Sequence, residues 1–416
     1  MLRPMTQVTR RHVFYIPGFD PVPPRAYRER YRREAARQAA LSGYEIDKGV
    51  APQGARFGWG VTARIEGAEV TTGLEVLYWA DIVQAGMKGG ILATYLALAR
   101  TAWAYVGSGA LFRLMRLRKG PVIAALYPVL VLLGQLVLAL LAGAALGAVV
   151  VWLVAVAGLA LPTMLAAAIR TLAFIAAVWL FLRWCARRDH LYAWYLMKDY
   201  AFSSRHGGAY PPEQEARMAL FADRIATALA SDVNEVLVVG HSSGAYIAIS
   251  VLADLIRAGR VPADGPTLSL LTLGHVVPMV SFLPRATRLR ADLAYLSAQT
   301  VAWVDVTAPG DGCAFALCDP VAVSGVAPPG KRWPLVISAA FTQTLKPETQ
   351  TALRWRLFEL HFQYLNAFDN LPGRPDDYDY FRITAGPLTL GARFATRAPS
   401  KSRIERAVNR HTGVAA

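Results

Sequence analysis

A serine, an aspartate and a histidine, in that order along the chain, are the residues whose types could do chemistry together. Ser242 sits in Gly240-His241-Ser242-Ser243-Gly244, a G-x-S-x-G run that follows the apolar Val236-Leu237-Val238-Val239 and leads into a helical pattern. A serine on a sharp strand-to-helix turn holds strained backbone, and glycines two positions to either side keep neighbouring backbone clear of it. Its hydroxyl then stands at a helix N-terminus, where amides favour developing negative charge. A hydroxyl is a weak nucleophile and needs a base within reach, itself oriented by an acid. Downstream lie His275, His361 and His411. His275 follows the strand next after the turn, too early for the order Ser, acid, His, and His411 belongs to a basic tail; His361, in LFELHFQYL, is the expected base. The expected acid is Asp311, in a Pro-Gly-Asp-Gly loop just past the end of a strand pattern, where functional residues of parallel sheets collect. Asp305, inside that strand, and Asp319 stay open as alternatives.

Amides that could bind an oxyanion come from two places. One is Ser243, directly after the nucleophile. The other is the loop after the early strand His12 to Ile16, where Pro17-Gly18 is followed by Phe19, with Asp20 next to it.

The elements that must position these groups read as alternating strands and helices. After the first strand, Ala26 to Leu41 has helix-forming composition, with Gly43 as a stop signal, and Leu74 to Asp81 (LEVLYWAD) reads as a strand. Pro211 to Ser231 is an amphipathic helix leading into the strand before Ser242, and further strands are expected near Leu268 to Leu273, Thr300 to Val306 and Pro334 to Ser338. The expected fold class is therefore α/β, a mostly parallel sheet flanked by helices with right-handed crossovers.

One block interrupts that pattern. Lys88 to Lys119 mixes apolar and aromatic residues at helical spacing with a basic end, as suits a helix on a membrane surface, and from Pro121 to Ile169 no residue is charged. A span needs roughly 20 apolar residues, so two transmembrane helices are expected, near 125 to 157 and 163 to 184, with the break at Gly158 to Pro162 and a rival turn at Gly143 to Gly147. An even number of crossings returns the chain to the sheet it left. Arg116, Arg118 and Lys119 on one flank and Arg183, Arg187 and Arg188 on the other put both ends on the cytoplasmic side of a multi-pass protein, in an inner membrane of bacterial type. The expected organisation is residues 1–87, first part of the sheet domain; 88–190, membrane insertion; 191–392, second part of the sheet domain; and 393–416, a loose basic tail.

Composition agrees with a membrane partner. Hydrophobic residues make up 54% and charged residues 18% of the 416, and the formal net charge is +15. No nucleic-acid module accompanies that charge, so the lipid bilayer is the expected partner and nucleic acid is not. The absence of a long apolar segment before the first strand argues against a signal peptide. Three cysteines, Cys185, Cys313 and Cys318, suggest free thiols in a reducing compartment. Without a C-x-x-C pair or an adjoining histidine, neither a zinc site nor any cofactor is expected.

With Gly240, Ser242 and Gly244, the early Pro-Gly-Phe loop and the Ser-Asp-His order in hand, the chain resembles the α/β-hydrolase superfamily, in its lipase and esterase group, over about residues 10 to 87 and 190 to 390. The resemblance implies a serine esterase acting on a small-molecule or lipid ester, or an acyltransferase using the same triad; a non-catalytic scaffold on the same fold is the contrasting expectation. Pro17-Gly18-Phe19 departs from the His-Gly pair common in that group, and the apolar insertion precedes the nucleophile, where many relatives carry a cap domain further along.

Overall fold

The computed structural model describes residues 7–20, 22–86, 88–159, 161–370 and 377–415. Met87, at an expected domain boundary, Ala160, inside the expected turn, and the first six residues read for a signal peptide lie outside the described residues.

Eight strands form one sheet: β1 (Arg10–Ile16), β2 (Glu45–Gly49), β3 (Gly58–Ile65), β4 (Ala68–Val76), β5 (Glu235–His241), β6 (Thr267–Leu273), β7 (Ala302–Thr307) and β8 (Leu335–Ser338). Their order is β2-β3-β4-β1-β5-β6-β7-β8. From β4 through β8 all neighbours are parallel, while β2, β3 and β4 form an antiparallel meander at one edge. The expected α/β class with a mostly parallel sheet is thus observed. The central strands β1, β5, β6 and β7 are buried nearly throughout, which is why they read as continuous apolar runs rather than alternating ones. One face carries Val13, Tyr15, Leu237, Val239, Leu271 and Val304 against Tyr364, Phe368 and Phe381 from the C-terminal segments. The helix Gly244–Arg257 packs on β5, with Pro212–Leu229 and Thr287–Ser297 beside it. Burying a Leu, Val or Phe side chain in such a core contributes about 1.5–3 kcal/mol.

The chain divides into two compact units. One comprises residues 1–85, 104–122 and 203–416, the other 86–103 and 123–202. Residues 104–122, expected within the insertion, group with the sheet because Tyr105 Oη donates to Met279 O at 2.9 Å and Arg118 Nε to Ala316 O at 2.8 Å, with Leu114 fully buried. The expected surface helix over 88–119 is broken into Ile91–Gly107 and Ala110–Leu114 by Gly109, whose φ of +74° departs from helical backbone. The expected strand LEVLYWAD ends early, at Val76, and a helix begins at Ala80.

Among the described residues, the second unit holds two helices long and apolar enough to cross a membrane, Lys119–Val156 (its first turn lying in the other unit) and Thr163–Arg188; only 17% and 6% of their most apolar windows are buried. The break falls where proline and glycine placed it. The rival turn at Gly143 to Gly147 is helical because these glycines serve helix contact instead. A Cβ on Gly143 would lie 3.0 Å from Phe174 O, and one on Gly147 would lie 3.0 Å from Arg170 O, so small residues four apart let the two helices approach.

The C-terminal tail, expected to be mobile or membrane-associated, is pinned. Ile404 N donates to Leu317 O at 2.7 Å, Asp319 N to Ile404 O at 2.9 Å, and Val408 is buried. Its sparse apolar residues give no periodic pattern; hydrogen bonds such as Ser400 N to Val336 O at 2.9 Å and Asn409 Nδ2 to Ser281 O at 3.0 Å hold it as well.

Candidate active site

β5 delivers the nucleophile candidate. Ser242 follows the strand's last residue, with φ +56°, a left-handed conformation that is uncommon and costly for a non-glycine residue. Its amide donates to Leu273 O at 2.9 Å, and the helix Gly244–Arg257 starts two residues on. The flanking glycines are sterically required. A Cβ at Gly244 would sit 2.1 Å from Ile16 O, and one at Gly240 would sit 2.7 Å from Ala245 Cα. This close approach exists because β1 lies beside β5, with Ile16 paired to Gly240.

The same neighbour brings the early loop over the serine. A Cβ on Gly18 would be 2.9 Å from Ser242 Cβ and 3.3 Å from its Oγ, so the loop after β1 lies directly against the hydroxyl. Phe19, next in that loop, is buried edge-on to Trp79, whose indole donates to Pro17 O at 2.9 Å and so holds the loop. The Asp20 carboxylate accepts from Val22 N and Tyr27 Oη, both at 2.9 Å. Ser243 precedes the first turn of its helix, where amides lack intrahelical acceptors.

The acid and base candidates meet. Asp311, in the loop after β7, accepts from His361 Nδ1 at 2.7 Å through Oδ2, from Tyr364 Oη at 3.0 Å through the same oxygen, and from Cys313 N at 2.9 Å through Oδ1. Burial pushes this carboxyl's pKa up, but His361 and the donated hydrogen bonds outweigh it, leaving it below the ordinary value. Tyr364 Oη also accepts from Ala308 N at 2.9 Å, tying the acid loop to the segment that carries His361.

His361 ends a short helix after β8 and is anchored from the nucleophile side. His241, the residue before Ser242, donates through Nε2 to His361 O at 3.0 Å, which leaves its Nδ1 to accept from Tyr15 Oη at 3.2 Å. Burial, with His361 adding to it, lowers the His241 pKa to about 3, so the ring stays neutral and this assignment of donors holds. The two imidazoles are 4.9 Å apart between centroids. Gly274, beside the Leu273 carbonyl that holds Ser242, would place a Cβ 3.1 Å from His361 Cε1. His361 therefore stands in the immediate surroundings of Ser242, although no hydrogen bond joins it to Ser242 Oγ.

The alternative acids are occupied otherwise. Asp319 caps the helix Pro320–Val323 through Val321 N and Ala322 N and pairs with Lys331 Nζ at 2.7 Å. Asp305 accepts from Thr272 Oγ1 at 2.6 Å and lies 3.5 Å from His275 rather than near His361. His411 contacts Ser108 O at 3.3 Å.

Sequence reasoning missed His241, Tyr15 and Tyr364 as positioning residues. Tyr364 follows His361 by three residues, a helical spacing, but nothing local says that its hydroxyl reaches Asp311. It also missed that Cys313, two residues after Asp311, has its Sγ within 4.8 Å of donor atoms of both Asp311 and His361, because the histidine arrives from 48 positions downstream. No protein-family model, curated protein or solved structure matches the chain.

Proposed function

We propose that the chain is a membrane-anchored serine hydrolase of the α/β-hydrolase superfamily, close in kind to lipases and esterases, that cleaves carboxylic esters. The observation that carries this reading is the buried 2.7 Å bond from His361 to Asp311, with the His361 carbonyl held by His241, the residue before Ser242 and its left-handed backbone. Ser242 follows β5, Asp311 follows β7 and His361 follows β8, the arrangement in which a parallel sheet gathers a triad at the C-terminal ends of its strands.

In this mechanism Ser242 Oγ attacks the ester carbonyl while His361 Nε2 takes its proton. Asp311, ionised, holds the Nδ1 proton and stabilises the imidazolium. The amides of Ser243 and Phe19 bind the oxyanion, a contribution worth about 3–4 kcal/mol per donor in such sites. Collapse expels the alcohol, which takes the proton from His361. Water, deprotonated by the same nitrogen, then attacks the acyl-serine, and the acid leaves. The Ser242 to His361 hydrogen bond forms with substrate bound, as catalytic bonds that are long in free enzymes commonly do.

The two long apolar helices, with arginines at both ends of the block, support a hairpin anchor with the catalytic residues on the cytoplasmic side, and a membrane-partitioned acyl ester as substrate. The test is hydrolysis of p-nitrophenyl esters of increasing acyl length by wild type and Ser242→Ala in detergent. The expected result is a loss of about a thousandfold or more in the variant; equal turnover by both proteins would overturn the reading.

A further inference from the structure

A thiol stands in the candidate active site with no part in the mechanism above. Cys313 is half-buried and outside any disulfide, and its Sγ, a carboxylate oxygen of Asp311 and a ring nitrogen of His361 all lie within 4.8 Å of one another. The other two cysteines differ. Cys185 and Cys318 are buried, and burial pushes the Cys318 thiol up to about 12. We propose that Asp311, Cys313 and His361 form an inhibitory site for a borderline-soft divalent cation of the zinc type. The inhibitory part rests on the hydrolase reading; the binding part does not.

The donor set argues for that metal class. Sulfur, imidazole nitrogen and carboxylate oxygen together suit zinc, whereas magnesium and calcium take oxygen alone. Metal–ligand distances of roughly 2.0–2.3 Å in a tetrahedron put ligand atoms about 3.6 Å apart, so from a set within 4.8 Å, whose His361 Nδ1 and Asp311 Oδ2 stand at 2.7 Å, adjustments of about 1 Å complete the site. The Cys313 loop has room for that. A Cβ added at Gly310 would meet nothing within 4 Å, and one at Gly312 only Leu357 Cδ2 at 3.9 Å. The ligands are also supported from behind: Tyr364 Oη on Asp311, Cys313 N on Asp311, and His241 on the carbonyl of His361. The partial exposure of Cys313 leaves the fourth position to water.

Binding stops catalysis whichever imidazole nitrogen is used. At Nε2 the metal takes the lone pair that accepts the serine proton; at Nδ1 it displaces the proton shared with Asp311. Cys313 coordinates as thiolate, so at least one proton passes to solvent and affinity rises with pH.

The experiment uses the full-length protein in detergent with zinc chloride as probe. Equilibrium dialysis should show a tight site in wild type and in Ser242→Ala, weakened at least about tenfold in Cys313→Ser and in His361→Gln. In unsubstituted protein, zinc should slow iodoacetamide alkylation of Cys313, read by mass spectrometry, which needs no variant to fold. Zinc should also inhibit p-nitrophenyl ester hydrolysis reversibly with EDTA, and inhibition of Cys313→Ser, normalised to its own metal-free rate, should require at least about tenfold more zinc. Unchanged zinc affinity in Cys313→Ser, or unchanged alkylation, overturns the site. Ester hydrolysis without zinc binding overturns this inference alone, whereas zinc binding by a protein that hydrolyses no ester sustains the site and overturns the hydrolase reading.

Discussion

Two histidine–aspartate pairs sit in this sheet domain, and they are opposite in character. His361 and Asp311 share a 2.7 Å hydrogen bond, and Asp311 receives further donors from Cys313 N and Tyr364. His275 and Asp305 approach to 3.5 Å without a hydrogen bond between them; His275 Nε2 donates to Cys318 O instead, and Asp305 receives only Thr272 Oγ1. All four side chains are buried. Burial pushes the Asp305 carboxyl well above its ordinary range, with Thr272 offsetting little of it, and lowers His275 to about 4, so that pair is held uncharged. At Asp311 burial acts the same way, yet the charge interaction with His361 and the donors aimed at the carboxylate win and the pKa is lowered. What keeps Asp311 an anion, able to orient a base, is first the charge and hydrogen bond of His361 and then the donors Cys313 N and Tyr364 Oη, whereas Asp305 near His275 receives neither.

The largest expected effect breaks one pair and spares the other. Asp311→Asn should lower kcat for ester hydrolysis by about ten-thousandfold, since the wrong imidazole tautomer then faces the serine, whereas Asp305→Asn should change it by less than about tenfold. Steady-state kinetics of the two variants side by side decides it; comparable losses would dissolve the distinction.

A second effect tests the loop laid over Ser242. Gly18→Ala should lower kcat/KM by about a hundredfold with the fold retained, because the new methyl would sit 2.9 Å from Ser242 Cβ and displace the serine or the Phe19 amide. Near-normal kinetics would mean that the loop does not bear on the reaction.

The smallest effect concerns pH and the uncharged pair. The folded-state pKa of His275 lies below its ordinary 6.5, at about 4. Between those values the unfolded chain binds a proton that the folded chain refuses, so stability falls as pH drops through that window, by about 1.4 kcal/mol per pH unit for one such group. Asp305, raised, acts in the other direction, losing stability as pH rises above the ordinary carboxylate range. Because the Asp305 contribution remains, stability measured by denaturant unfolding should rise less, or fall more, from about pH 4.5 to 6.5 in His275→Asn than in wild type; parallel slopes would contradict the assignment of His275 as neutral.

Much of this was legible before any coordinates. The turn at Ser242 announces itself because its requirements are local: β5 is apolar throughout, and Gly240 and Gly244 answer to backbone contacts within the same few residues and the adjoining strand. The break between the long apolar helices was legible for the same reason. The position of β1 in mid-sheet, and the antiparallel meander of β2 to β4, are not written in any local pattern. Nor are the hydroxyls of Tyr15 and Tyr364, whose phenols pack in the core like any other aromatic while their oxygens organise His241 and Asp311. Asp311 and Asp305 look alike in sequence, six residues apart on one strand and its loop, and only the donors contributed by distant residues separate them.

The proposal that His361 and Asp311 arm Ser242 meets its sharpest test in a fluorophosphonate probe. A single phosphonylated residue, Ser242, is expected by mass spectrometry, with labelling abolished in Ser242→Ala and slowed by about a thousandfold or more in His361→Ala. Labelling that persists in Ser242→Ala, or that proceeds at an unchanged rate without His361, would contradict it.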